Sequence, residues 1–155
     1  MKSIEFIPKR EDEEIKQKLE EQFGIRELNG RLMRKGKERI FLFQGEISDD
    51  EIKKIDEVVE IERAGIYIGK IFEPTQELRL SIEGTQIFKN QITKNIFELP
   101  EEFYEKWMNG QEIEIKTGLR GMIVIKCKNE FLGCGKASEN KIGNFIPKSR
   151  RLKIK

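Results

Sequence analysis

The sequence predicts an α+β fold in two parts, an N-terminal half with two helices and a C-terminal half built mainly from short strands. In the first half, Ile15, Leu19 and Phe23 recur at helical spacing. In the second half, Leu78 and Leu80 begin an alternation of apolar and polar residues that is typical of a half-buried strand. Many short strands separated by glycines, with few helices, indicate a small β-barrel.

The N-terminal half begins with a helix predicted over residues 11–23. Its acidic first turn suits the helix dipole, and Gly24 is a typical helix end. Ser48 and Glu51 have the spacing of a capping box, which predicts the start of a second helix. The strands expected in this half are a hairpin at 31–34 and 39–43, followed by strands at 58–61 and 66–72.

The segment Glu73-Pro74-Thr75 is the expected linker, because proline cannot continue a strand ladder. This boundary divides the chain into an acidic domain, residues 1–73, and a second domain, residues 74–155.

The second domain is expected to begin with a strand over 78–83, where apolar and polar residues alternate. Pro100 predicts the start of a short helix that ends at Asn109-Gly110. The further strands expected here lie at 95–99, 112–116, 122–126 and 130–134.

Charge is distributed unevenly along the 155 residues. The net charge is +2, but the last 40 residues hold 11 basic and 2 acidic side chains, a net +9. The first 115 residues hold 19 basic and 26 acidic side chains, a net −7. A polyanion would therefore be attracted to the C-terminal end and repelled by much of the rest.

The composition argues against most catalytic and metal chemistry. The chain has no histidine, which removes the commonest general base and zinc ligand. Cys127 and Cys134 are too few for a structural zinc site and lack C-x-x-C spacing. The carboxylate clusters at 11–14, 49–51 and 101–102 fall in expected first helical turns. We expect no enzymatic activity, no metal and no cofactor.

The expected location is the cytoplasm, with both thiols reduced. The N-terminus turns charged at residues 9–14, unlike a signal peptide. No apolar stretch approaches the roughly 18–20 residues that span a bilayer.

The basic C-terminus is the first candidate site. Lysines and arginines are typical phosphate ligands, and Phe145 could stack on an unpaired base. The alternative is a solvated lysine-rich tail, although the glycine, phenylalanine, isoleucine and proline within it are unlike a disordered charge block. The residues predicted to bind RNA are Lys136, Lys141, Lys148, Arg150, Arg151 and Lys153.

Two glycine-containing loops are the other candidates. Paired glycines in 131–136 would let backbone approach backbone, or let a phosphate approach backbone amides, and the spacing is not that of a Walker loop. The loop 117–121 is most simply a connection between strands, whose flanking Lys116 and Arg120 would extend the basic face.

Five segments follow one another in a recognisable order: Glu77–Gly84, Phe97–Leu99, Asn109–Ile113, Gly121–Val124 and Leu132–Gly135. Together they resemble the PUA domain, a small RNA-binding pseudo-barrel named for pseudouridine synthases and archaeosine transglycosylases. The preceding half, with residues 65–71 leading into the first PUA strand, resembles a pre-PUA domain. Order and length are similar to the Nip-seven family of ribosome-biogenesis factors. The ending 144–151 also resembles PUA domains attached to RNA methyltransferases of the NOP/Sun type.

The resemblance implies an α/β pre-PUA domain at 1–73 and a PUA pseudo-β-barrel at 74–155. It implies a non-catalytic protein that binds RNA, specifically rRNA, in rRNA processing and ribosomal subunit biogenesis. In this family, C-terminal basic residues of the PUA domain contact RNA, which places that role on Lys148, Arg150, Arg151 and Lys153. The acidic half would suit a protein partner, and no DNA or membrane partner is expected.

Two alternatives stay open. One is a PUA accessory protein that works in trans with a tRNA- or rRNA-modifying enzyme. The other is a small enzyme acting on RNA, which would need converging acid and base groups in a cleft.

Overall fold

Two β-sheets and four α-helices make up the computed structural model, which describes residues 4–59, 61, 64–72 and 75–152. The first sheet is antiparallel, with strands in chain order from β1 to β5. The second sheet has the order β6-β7-β8-β9, and β6 runs parallel to β7. The strands are Ile4–Phe6, Arg31–Lys35, Arg39–Phe43, Ile66–Phe72, Glu77–Leu80, Ile96–Glu98, Gly121–Cys127, Glu130–Ala137 and Ile142–Asn144. The helices α1 to α4 are Lys9–Phe23, Asp49–Val58, Ile82–Ile87 and Tyr104–Met108.

Helix α1 confirms the predicted apolar stripe. Ile15, Leu19 and Phe23 are buried against the first sheet. Gly24 ends the helix in the left-handed conformation, with its amide bonded to Glu20. Burial of three large apolar side chains holds a helix whose remaining surface is almost entirely charged.

Helix α2 begins at the predicted capping box, in which Ser48 and Glu51 exchange side-chain to backbone hydrogen bonds. The strand predicted at 58–61 is wrong. Val58 is the last residue of α2, and the amide of Val59 still bonds to Ile55. Glu60 lies outside the described residues. The β-branched run therefore ends a helix, because the helical hydrogen bonds propagate from the cap through it.

Strands β4 and β5 pair along Gly69–Phe72 and Glu77–Leu80, on either side of the predicted linker. Thr75 lies between them, and Glu73 and Pro74 lie outside the described residues. The predicted strand 78–83 is correct only as far as Leu80. Ser81 caps α3, because its Oγ accepts the amide of Gly84 at 2.9 Å and donates to the carbonyl of Tyr67 at 2.6 Å.

The second sheet confirms the strands predicted near 95–99, 122–126 and 130–134, and a 3-10 turn and α4 follow Pro100 as predicted. The strand predicted at 112–116 is wrong, since only Ile113 pairs, with Ile142. Strand β9 is too short to extend that ladder. Asn144 at its end donates instead to the carbonyls of Trp107 and Gln111. Closure of these strands into a pseudo-barrel stays a prediction.

One apolar core is shared by the two halves. It joins α1 and the first sheet to Phe88, directly after α3, and to Val124 and Cys134 of the second sheet. The other face of the second sheet packs on Trp107, and α2 covers a smaller cluster around Phe41. The division at residue 73 stays a prediction, but sheet hydrogen bonds and this core both cross it.

Replacing Ser81 with alanine should lower the free energy of unfolding by about 1–2 kcal/mol, because the variant loses a helix cap and the bond that ties α3 to β4. Urea denaturation would measure the loss. Ser149→Ala is the matched control, since Ser149 is exposed and its side chain makes no hydrogen bond within the described chain. Equal stability of the two variants would contradict this account of the junction.

Candidate nucleic-acid interface

A cleft of about 960 Å³ opens between the first sheet and residues 145–150. Its walls come from β3 and β4, from the β5–α3 junction, and from β8 with the C-terminal segment, defined here as residues 145–152. We refer to it as the central cleft. Three guanidinium groups and three aromatic rings line it: Arg39, Arg79, Arg150, Phe41, Tyr67 and Phe145. Cationic and aromatic groups together suit a ligand with phosphates and flat bases.

The N-terminal wall carries Arg39, Phe41 and Tyr67. Phe41 and Tyr67 are cross-strand neighbours whose ring centroids lie 5.6 Å apart. Phe41 is buried, whereas Tyr67 is half-buried. Arg39 is exposed and makes no ion pair within the described chain. The N-terminal wall therefore carries an aromatic ring and a guanidinium that has no ion-pair partner within the described chain.

The second wall is the turn from β5 into α3. The Ser81 cap fixes the start of α3, and this places Glu83 in its first turn, at the edge of the cleft. Arg79 precedes the turn and projects from β5 with its guanidinium 4.7 Å from the centre of the Phe145 ring. Such stacking orients the guanidinium plane without neutralising its charge.

The C-terminal segment is held in place by hydrogen bonds rather than extending as a free tail. The Oδ1 of Asn144 accepts the amide of Ile146 at 2.7 Å. The Nε of Arg151 donates to the carbonyl of Ile146 at 3.0 Å, and the amide of Leu152 donates to Met108 at 2.9 Å. The segment is therefore tied to the fold through Leu152, and Ser149 and Arg150 of the basic run line the cleft.

Phe145 anchors this segment against the first sheet. Its ring meets Phe72 edge-on, with centroids 5.7 Å apart, while Arg79 covers it. Lys136 lies over the Phe72 ring, with its Nζ 4.4 Å from the ring centre. The ring predicted as a stacking surface thus lies within a group of alternating cations and aromatics.

The glycines of β8 serve packing of backbone on neighbouring elements. Gly133 has a positive φ of 83°, and a Cβ there would lie 3.3–3.6 Å from Ile82 at the start of α3. Its amide donates to Thr85, a polar side chain that is fully buried. A Cβ on Gly135 would lie within 2.7 Å of Trp107 and Ile142. Of the two roles open for 131–136, close backbone approach is the one seen here.

Three of the predicted cations have carboxylate partners. Arg150 pairs with Glu83 across the mouth of the cleft. Lys141 pairs with Glu112 at 3.1 Å, and Lys136 lies 3.9 Å from Glu77. An anionic ligand must compete with these carboxylates, so each exposed pair is a contact that RNA could exchange at modest cost.

The remaining predicted cations differ from one another. Lys148 is exposed and makes no ion pair within the described chain. Arg151 is half-buried against Gly110, where a Cβ would come within 2.3 Å of its Nε. Lys153 lies outside the described residues. Arg150 and Phe145 line the central cleft, whereas Lys136 and Lys141 are not among its lining residues.

Arg39, Arg79 and Tyr67 are candidate functional residues that the sequence pattern did not single out. By sequence alone, Arg79 is one of the polar positions of the alternating strand expected over 78–83. Its approach to Phe145 depends on contacts across 66 positions of sequence. The only local signal was an arginine on the exposed side of each of two strands, which is common on any sheet.

The described residues hold no cluster of three or more metal-ligating side chains. None of the described helices is long and apolar enough to cross a membrane. The carboxylate that lines the central cleft, Glu83, is bound to a guanidinium.

Residues 94–152 match the family model described as the PUA domain of methyltransferase RsmF. The chain contains a PUA-type domain. The match covers β6 to β9 and the whole C-terminal segment, which together make up less than half of the chain. A search of the curated proteins found no match. The pre-PUA and Nip-seven resemblances stay predictions, while the methyltransferase in the matched description agrees with the resemblance noted for residues 144–151.

The two thiols of the PUA-type domain should be unreactive in the folded protein. Burial raises the pKa of Cys134 to about 12 and also raises that of Cys127. At pH 8 a disulfide reagent should label neither thiol until denaturant is added.

The native pKa of Cys134 exceeds its unfolded value of about 8.5. The contribution of the protonated thiol to the free energy of unfolding is therefore complete below that pH and is lost as the pH rises toward 12. Rapid labelling of native protein would contradict this burial.

Proposed function

We propose that the protein binds RNA through the central cleft and the adjoining surface of its PUA-type domain. The observation that carries the proposal is the guanidinium of Arg79 over the ring of Phe145, with Arg150 lining the same cleft; Phe145 and Arg150 belong to that domain. Guanidinium groups supply phosphate contacts, and an aromatic ring held against one of them supplies a stacking surface. The net +9 of the last 40 residues would attract the ligand at long range.

We further propose that the bound RNA is rRNA and that the protein acts without catalysis in the cytoplasm, in rRNA processing and ribosomal subunit biogenesis. The similarity in domain order to the Nip-seven family supports this role. The pairing of Glu83 with Arg150 also supports it, because a carboxylate held by a guanidinium is poorly placed to act as a base.

We also propose that the acidic half is a pre-PUA domain that binds a protein partner. Ile55, Val58 and Val59 are exposed at the end of α2, beside its acidic residues. The pseudo-barrel expected for the PUA-type domain would be completed by β5. That strand contacts β7 and β8, and its Glu77 accepts the amide of Met122 at 2.8 Å.

A second candidate function is an accessory that works in trans with an RNA-modifying enzyme. It is supported by the family match, whose description names a methyltransferase. Affinity purification separates the two candidates. Recovery of ribosome-assembly factors supports the first, and recovery of a modification enzyme without them supports the second.

Replacing Arg150 with alanine should weaken RNA binding roughly five- to tenfold and reduce the salt dependence by about one phosphate contact. The cation should contact phosphate once Glu83 is displaced. The measurement is a titration of a labelled structured rRNA fragment at two salt concentrations.

Arg26→Ala is the control for the Arg150 variant. Arg26 has an exposed side chain with a carboxylate partner, Glu20, at 3.3 Å, and it follows α1, away from the cleft. The two substitutions therefore remove the same charge from the same kind of ion pair. If both variants bind RNA as the unchanged protein does, Arg150 is not a phosphate ligand.

A further inference from the structure

We propose that a row of cations on the first sheet, Arg39, Lys70 and Arg79, binds the backbone of an unpaired RNA strand on the first-sheet side of the central cleft. The inference rests on the proposed function, RNA binding, and names the class of RNA and the first-sheet cations that would hold it. None of the three residues falls within the segment that matches the PUA family model.

Strand register places the three side chains side by side. Arg39 of β3 is opposite Lys70 of β4, and Lys70 is opposite Arg79 of β5. Residues directly opposite in an antiparallel pair project from the same face of the sheet. The neighbouring residues Ile40 and Leu80 are buried in the core beneath α1. The row therefore faces away from α1 and its acidic surface.

Like charges directly opposite one another destabilise a sheet, so a bound anion would stabilise the row by offsetting this repulsion. Lys70 has one within the fold, Glu38, at 3.6 Å. Arg39 and Arg79 make no ion pair within the described chain, and Arg79 is stacked on Phe145 instead. Two of the three charges are thus unneutralised at the wall of the central cleft, where both line the cavity.

The spacing of the row suits a chain of phosphates better than a single anion. Adjacent strands lie about 4.8 Å apart, so Arg39 and Arg79 are separated by roughly 10 Å of sheet. A small anion would reach one guanidinium fully, whereas an extended polyanion can meet the whole row. A further guanidinium, that of Arg150, lines the C-terminal wall of the same cleft.

The aromatic rings that line the cleft together with the cations indicate unpaired nucleotides. Tyr67 and Phe145 are both half-buried and line the cleft. Bases splayed from a single strand stack on such rings and on guanidinium planes, whereas a duplex keeps its bases inside. An acidic peptide would pair with the cations but would leave the rings without a stacking partner.

The net −7 of the first 115 residues is distributed over several elements. Helix α1, with six acidic and four basic residues, contributes −2 from beneath the other face of the sheet, and α2 contributes −3. Fields from exposed charges fall off within a Debye length of about 8–10 Å, so local sign matters more than the sum.

The test compares two labelled RNA hairpins of the same stem, one blunt and one with an unpaired overhang, using the full chain. The unchanged protein should prefer the overhang. Arg39→Ala should reduce affinity for the overhang RNA roughly five- to tenfold, with a smaller salt slope and less effect on the blunt hairpin. Arg39 is exposed, so the variant is expected to fold normally.

The matched control is Arg10→Ala on α1, where the side chain is 93% exposed and lies beyond the opposite face of the sheet. It should bind as the unchanged protein does. Tyr67→Leu should lessen the preference for the overhang without altering the salt slope, since it removes a ring and no charge.

The outcomes separate this inference from the proposed function. If the unchanged protein binds neither RNA, the proposed function fails. If it binds RNA and Arg39→Ala equals Arg10→Ala, RNA binding stands and the cationic row is not part of it. Displacement of the overhang RNA by polyglutamate as readily as by unlabelled overhang RNA would overturn the assignment to unpaired nucleotides.

Discussion

The pairing of β4 with β5, and the sharp turn at Ser81 that follows it, determine where most of the other elements lie. Ser81 bonds both to α3 and to the carbonyl of Tyr67 in β4. The approach is so close that a Cβ on Gly84 would lie 2.2 Å from the carbonyl oxygen of Ile68. Any side chain at that position would push α3 off the sheet.

Because α3 is fixed against β4, the elements packed on α3 are fixed as well. Gly133 of β8 rests on Ile82, and its amide is bonded to Thr85. The PUA-type domain is thereby attached to the first sheet through backbone contacts and a shared apolar core. The central cleft is a consequence of this attachment, since its walls belong to elements on both sides of the turn.

Electrostatics in the cleft depend on which cations already have partners. The C-terminal basic run gives its end of the sequence a strong positive charge. Even so, Arg150 is paired with Glu83, and Arg151 donates a hydrogen bond to the carbonyl of Ile146 that holds the C-terminal segment in place. The uncompensated guanidinium groups at the cleft are those of Arg39 and Arg79. Net charge along the sequence therefore describes long-range attraction, whereas the folded arrangement decides which cations meet a ligand first.

Local features were predictable from the sequence because they depend on neighbouring residues. The stripe of α1, its glycine end, the Ser48 capping box and the β2–β3 hairpin all follow this rule. The errors arose where a cap or a distant partner decided the outcome. Ser81 converted the end of an alternating run into a helix, and β9 was too short to pair with more than Ile113. The row of Arg39, Lys70 and Arg79 could not be predicted from the sequence, because it depends on the register of three strands.

The central claim is that one cleft, with walls from both halves of the chain, binds the RNA. The most direct test is photo-crosslinking of a 4-thiouridine-substituted RNA to the full chain, with the attached residues located by mass spectrometry. The structure predicts attachment on both walls, at Tyr67 of β4 and at Phe145 of the C-terminal segment. Crosslinks confined to surfaces away from the cleft, such as α2 or the turn at Lys141, would contradict it.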